Sequence, residues 1–142
     1  MIPAQPNSFK YIGYKSINKN IIGSNCITSL CRDHEGILWI GTDNDGIYGI
    51  TTELKQKVHY APHDSPSSVP STVFGLYEDS EHNLWFGSYT NGLGRLDKKT
   101  GQCSYLQNLT DKNGNRIQRV YDLVEDQDKR LWIATMGAGL FY

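Results

Sequence analysis

The residues best placed for chemistry are Asp, Asn and His in short clusters beside glycines. Asp43-Asn44-Asp45-Gly46 offers the oxygen donors of a calcium loop. An EF-hand needs a further acidic position ahead of such a run and a Glu six residues past its glycine, where this chain has Thr52. The run reads as a hairpin loop. His34, His59, His63 and His82 show neither H-x-x-x-H nor H-E-x-x-H spacing, so no metal site is expected. No G-x-S-x-G elbow, phosphate loop or dinucleotide fingerprint occurs, and Gly92-Leu93-Gly94 opens a strand rather than a helix. Asn108-Leu109-Thr110 is a glycosylation sequon. No catalytic residue and no cofactor are expected.

Cys26, Cys31 and Cys103 form an odd set. Cys26 and Cys31 share one extended segment, which holds their Cα atoms about 16–17 Å apart, too far for a disulfide. Free, mostly buried thiols are expected.

The elements that position these side chains come from an internal repeat. Trp39, Trp85 and Trp132 lie 46 and 47 residues apart. Twelve residues before each stands Ile27, Val73 or Val120; nine before stands Leu30, Leu76 or Leu123; six before stands Asp33, Asp79 or Asp126. After each Trp come Ile40-Gly41-Thr42, Phe86-Gly87-Ser88 or Ile133-Ala134-Thr135, then Gly46, Gly92 or Gly139 seven residues on. Each copy reads as short strands. Strand a spans Ile27–Cys31, Val73–Tyr77 and Val120–Val124. An Asp-opened turn follows, whose carboxylate accepts backbone N–H groups. Strand b carries the Trp, and a loop ending in a glycine of positive φ leads to strand c at Ile47, Leu93 or Leu140. Strand d is expected near Val58–Tyr60 and Ser104–Leu106. Asp126-Gln127-Asp128 falls on the a–b turn and His34 and His82 on its equivalents, both expected to be solvated.

Four short strands per repeat of this length predict an all-β fold of β-propeller blades. A β-sandwich also has many short strands, but it does not require the same Trp at a fixed period. Each indole buries on the order of 200 Å², worth about 5 kcal/mol at most, reason enough for a Trp per blade without a ligand. The expected units are residues 25–71, 72–118 and 119–142 as blades 1 to 3, the last with strands a–c only, and 1–24 as a strand d plus linker.

Composition agrees. Nine Tyr, three Trp and four Phe favour pleated strands, and 14 Gly supply turns. A net charge of −1 argues against nucleic acid. No apolar run approaches the roughly 20 residues of a membrane span, so no membrane contact is expected of this segment. The first residues lack the apolar stretch of an export signal.

The two ends are out of phase. Phe9–Tyr14 is placed as a strand d with no strands a–c before it, while the chain stops in strand c of blade 3. The segment Phe9–Tyr14 of one copy could complete the blade Val120–Tyr142 of another, so that two copies close a six-bladed ring head to tail. The chain read as an excised piece of a longer propeller is the other expectation.

The run Ile27-Thr28-Ser29-Leu30-Cys31-Arg32-Asp33, through Leu38-Trp39-Ile40-Gly41-Thr42 to Gly46-Ile47, resembles the regulator-propeller repeat of Bacteroides-type hybrid two-component histidine kinases. So does the linker His63-Asp64-Ser65-Pro66-Ser67-Ser68-Val69. The resemblance extends from about Asn25 to the end of the chain. It implies an extracytoplasmic, non-catalytic sensor segment of a membrane-anchored receptor, sensing or relaying a polysaccharide-derived signal. The readings beside it are a propeller scaffold for protein partners and a fragment of a propeller lyase or glycosidase. An enzyme would need paired carboxylates facing one pocket, whereas Asp33, Asp79 and Asp126 sit in turns.

An oligosaccharide would meet the face where b–c and d–a loops emerge. Asp43, Asn44, Asp45, Tyr89, Asn91 and Arg116 are the candidate ligand residues there, offering hydrogen-bond partners and an aromatic platform. Trp39, Trp85, Trp132, the three Asp and Gly46, Gly92 and Gly139 are expected to be structural.

Overall fold

The fold is that of a computed structural model describing residues 9–14 and 21–142. The first sheet pairs β1 (Ile27–Arg32), β2 (Leu38–Thr42), β3 (Ile47–Ile50) and β4 (Gln56–Tyr60) in that order. The second pairs β5 (Val73–Glu78), β6 (Leu84–Ser88), β7 (Leu93–Leu96) and β8 (Cys103–Tyr105). In the third, β10 (Leu131–Thr135) lies between β9 (Val120–Glu125) and β11 (Leu140–Phe141). Every pairing is antiparallel, as short loops between consecutive strands require.

Register repeats with the sequence. Leu30 faces Ile40, Leu76 faces Phe86 and Leu123 faces Ile133. Strand a runs one residue further than its hydrophobic pattern predicted. In each blade the extra residue, Arg32, Glu78 or Glu125, sits beside the turn Asp.

Neighbouring sheets meet mainly through their a and b strands. Between blades 1 and 2, Trp39 and Ile47 pack against Val73, Leu76, Leu84 and Phe86. Between blades 2 and 3, Leu93 and the half-buried Trp85 pack with Val120, Leu123 and Ile133. The tight approach is written into Gly87. A Cβ there would lie 2.4 Å from the Val120 carbonyl oxygen.

Phe9–Tyr14, expected as a strand d, forms no strand, because it pairs with none of the three sheets of its own chain. Ile12 instead packs with Ile21 and Ile22 over Ile40, Tyr48 and Ile50 of blade 1. The remainder of the expected 1–24 unit lies partly outside the described residues. The thiols are free, but only Cys103 is buried, and burial pushes its pKa up to about 12. Cys26 is exposed, contrary to expectation, since it lies just outside β1.

Candidate binding surfaces at the blade junctions

The recurring Asp does more than brace its turn. Asp33 Oδ1 accepts the N–H groups of Glu35 and Ile37 at 3.0 and 2.9 Å, and Oδ2 accepts the Trp39 indole N–H at 2.8 Å. The same bracket joins Trp85 to Asp79 at 2.8 Å and Trp132 to Asp126 at 2.6 Å. Burial alone would raise the carboxyls of Asp33 and Asp79, but the indole and backbone donors outweigh it and hold both below the usual carboxylate range. The indole donor chiefly lowers the Asp126 carboxyl too. The sequence reading missed this bond, although the constant D-x5-W spacing carries it.

The hydroxyl three residues after each Trp closes the other turn. Thr42 Oγ1 donates to the Gly46 carbonyl and accepts the Asp45 N–H; Ser88 does the same with Gly92 and Asn91. Gly46 and Gly92 take φ of 73° and 76°, as expected. Space forbids a side chain as well, because a Cβ on Gly46 would meet the Tyr60 carbonyl oxygen at 2.2 Å. Their N–H groups reach the carbonyls of Ser71 and Gln118, in the d–a loops just ahead of the next strand a. The b–c and d–a loops therefore share one face.

On that face the candidate ligand residues separate. Asp43 accepts the Thr72 hydroxyl at 2.7 Å, and Asp45 holds the Tyr48 hydroxyl and pairs with His59 at 3.4 Å. Asn44 is exposed at the loop tip with φ of 75°. Tyr89 and Asn91 line a cleft of about 300 Å³ with His63, Ser68 and Thr72. Arg116 lines a neighbouring cleft of about 240 Å³ with Arg119 and reaches the Asn91 carbonyl at 3.5 Å. The Arg119 guanidinium lies 4.8 Å from the centre of the Tyr89 ring. Tyr89, Asn91 and Arg116 thus adjoin one another, while Asp43 and Asp45 are engaged in loop bonds.

The opposite face holds a cluster that no spacing rule signalled. Glu78, at the end of β5, accepts the His34 N–H at 2.8 Å and lies 2.9 Å from His34 Nδ1. Lys98 Nζ lies 2.6 Å from Glu78 and 3.3 Å from Asp33. His34 and His82 are exposed, as expected, and stack with ring centroids 3.7 Å apart. Burial would raise the Glu78 carboxyl, yet the Lys98 and His34 donors hold it below its ordinary value. A cleft of about 530 Å³ opens beside this cluster, lined by His82, Arg95, Lys98 and Lys99. Asp33 and Glu78 do come together, but Lys98 bridges them, unlike the free carboxylate pair of a glycosidase.

Three like sheets, stacked a strand on a strand and each locked by an Asp–indole bond, define a segment of a β-propeller. The sequence profile of the two-component regulator propeller matches residues 21–44, 67–90 and 113–137, about half of the chain, which belongs to that family. The chain is similar to the extracellular domain of the putative hybrid two-component system BT4673 of B. thetaiotaomicron, at 28% identity and a TM-score of 0.66 over 82% of this chain and 16% of that one. The extracellular domain of the putative hybrid system BT3049 of the same organism matches at 28% identity and a TM-score of 0.65, over 84% of this chain and 15% of that one. Histidine kinase P4 of Formosa agariphila is 30% identical over 80 residues, 53% of this chain and 6% of that kinase. The chain therefore spans a small part of each relative's length. Likeness to a virginiamycin B lyase of Staphylococcus aureus, at 16% identity and a TM-score of 0.55, is one of fold alone.

Proposed function

We propose that this chain is a non-catalytic segment of the extracytoplasmic sensor region of a hybrid two-component receptor, taking part in recognition of a polysaccharide-derived signal. Its family and its 28% identity to extracellular domains of such systems support the sensor role. The observation that carries the saccharide reading is the loop-face cleft, where the Tyr89 ring adjoins Asn91, Thr72 and Ser68. A sugar presents hydroxyls to polar side chains and an apolar ring face to an aromatic. Calorimetry against a panel of oligosaccharides tests it. At least one sugar should give heat, and Tyr89→Ala should weaken that binding about tenfold, equivalent to about 1.4 kcal/mol. Silence across the panel would remove the saccharide reading.

A second reading, self-association head to tail, rests on the position of Ile12. It packs on the outer face of blade 1 as Val58 and Tyr60 of blade 1 pack toward blade 2. A propeller scaffold for protein partners would use the same open faces. Light scattering should then give twice the mass of 16.0 kDa, and a concentration-independent monomer would exclude the ring.

A further inference from the structure

The geometry points to a divalent transition-metal site, of the kind zinc or nickel occupies, formed by His34, Glu78 and His82 across the junction of blades 1 and 2. One donor atom from each residue lies within 4.8 Å of the other two. His34 Nδ1 is 2.9 Å and His82 Nδ1 3.8 Å from the two oxygens of Glu78. Two imidazoles and a carboxylate form a ligand set suited to zinc, with water completing the shell. Bond lengths of about 2.0–2.2 Å are reached if the stacked rings splay and turn their Nδ1 atoms toward the carboxylate. The Glu78 side chain is 10% exposed and its backbone is anchored in β5, whereas the His side chains, 40% and 55% exposed, are free to make that adjustment.

Lys98 competes for the place, since its ammonium lies 2.6 Å from Glu78. It also pairs with Asp33, so it keeps a carboxylate partner when the metal takes Glu78. The next junction provides the contrast. There the equivalent residues are Ser80, Glu125 and Lys129, and Ser80 donates both its N–H and its hydroxyl to Glu125. The blade-to-blade carboxylate clamp recurs, but imidazoles flank it only between blades 1 and 2. Because the ligands come from both blades, a bound ion would latch that junction and stabilise the folded form.

The test is zinc titration by calorimetry at pH 7.5, in a Cys26→Ser background so that the exposed thiol does not compete. One equivalent should bind with micromolar affinity, and zinc should raise the melting temperature by a few degrees. The His34→Ser, His82→Lys double variant installs what the second junction carries and should fold as the parent does without metal. It should lose at least about tenfold in zinc affinity together with the melting shift. Absence of binding up to about 100 µM zinc, or affinity within twofold of the parent in the double variant, would overturn the assignment.

Discussion

The same repeat position meets opposite surroundings in the interior and at the two free faces. Leu76 and Leu123, which face the preceding blade, are 6% and 5% exposed, whereas their counterpart Leu30 in blade 1 is 61% exposed. Ile47 and Leu93, which face the following blade, are 0% and 1% exposed, against 63% for Leu140 in blade 3. Residue type and local register are alike, so what is packed on the position confers burial. A neighbouring sheet covers Leu76 and Leu123, whereas on the Leu30 side of blade 1 Ile12, Ile21 and Ile22 cover Ile40 but leave Leu30 open. In a stacked-repeat fold each blade draws its stability from the blades beside it. Leu30 of blade 1 and Leu140 of blade 3 have no neighbouring sheet among the described residues.

Substitutions can break that contrast. The largest effect is expected at Trp39, whose indole is buried between blades and bonded to Asp33. Trp39→Ala should cost about 3–5 kcal/mol, while Trp132→Ala, on the free face, should cost less than half as much by urea denaturation. Equal losses would mean that the indole acts within its own blade. Next in size, Leu76→Ala should cost about 2–4 kcal/mol and Leu30→Ala less than about 0.5 kcal/mol in a monomer. A cost at Leu30 that grows with protein concentration would show the free face covered by a second copy.

The smallest effect concerns pH. The carboxyls of Asp33, Asp79 and Asp126 are all lowered in the folded chain. Their contribution is full above the unfolded value of about 3.9 and is lost as pH falls through the folded values, so melting temperature should drop below about pH 4. Asp33→Asn should flatten that drop more than Asp79→Asn or Asp126→Asn, because the Asp33 side chain is 2% exposed whereas the other two are partly exposed and screened by solvent. A profile unchanged in all three variants would remove the brackets from acid stability.

Much of the site's frame was legible in advance. The fixed Asp and Trp offsets mark the turn and the strand that follows it, and the glycine before strand c marks a left-handed position. The indole–carboxylate bond was within reach of the same spacing. The fate of the loop acids was not. Asp43 and Asp45 stood as candidate ligand residues on a hairpin loop, and only the fold shows that Thr72 and His59, 29 and 14 residues on, engage them.

The amino-acid order by itself settles the period, strands a to c and the turns between them, because those depend on neighbours a few residues apart and are repeated three times over. Only the stacking of one sheet on the next decides which Leu is covered, and sets His34 beside Glu78 and His82. Those partners lie 44 and 48 residues from His34 and share no local pattern with it. Their meeting is a property of the distance and angle between blades.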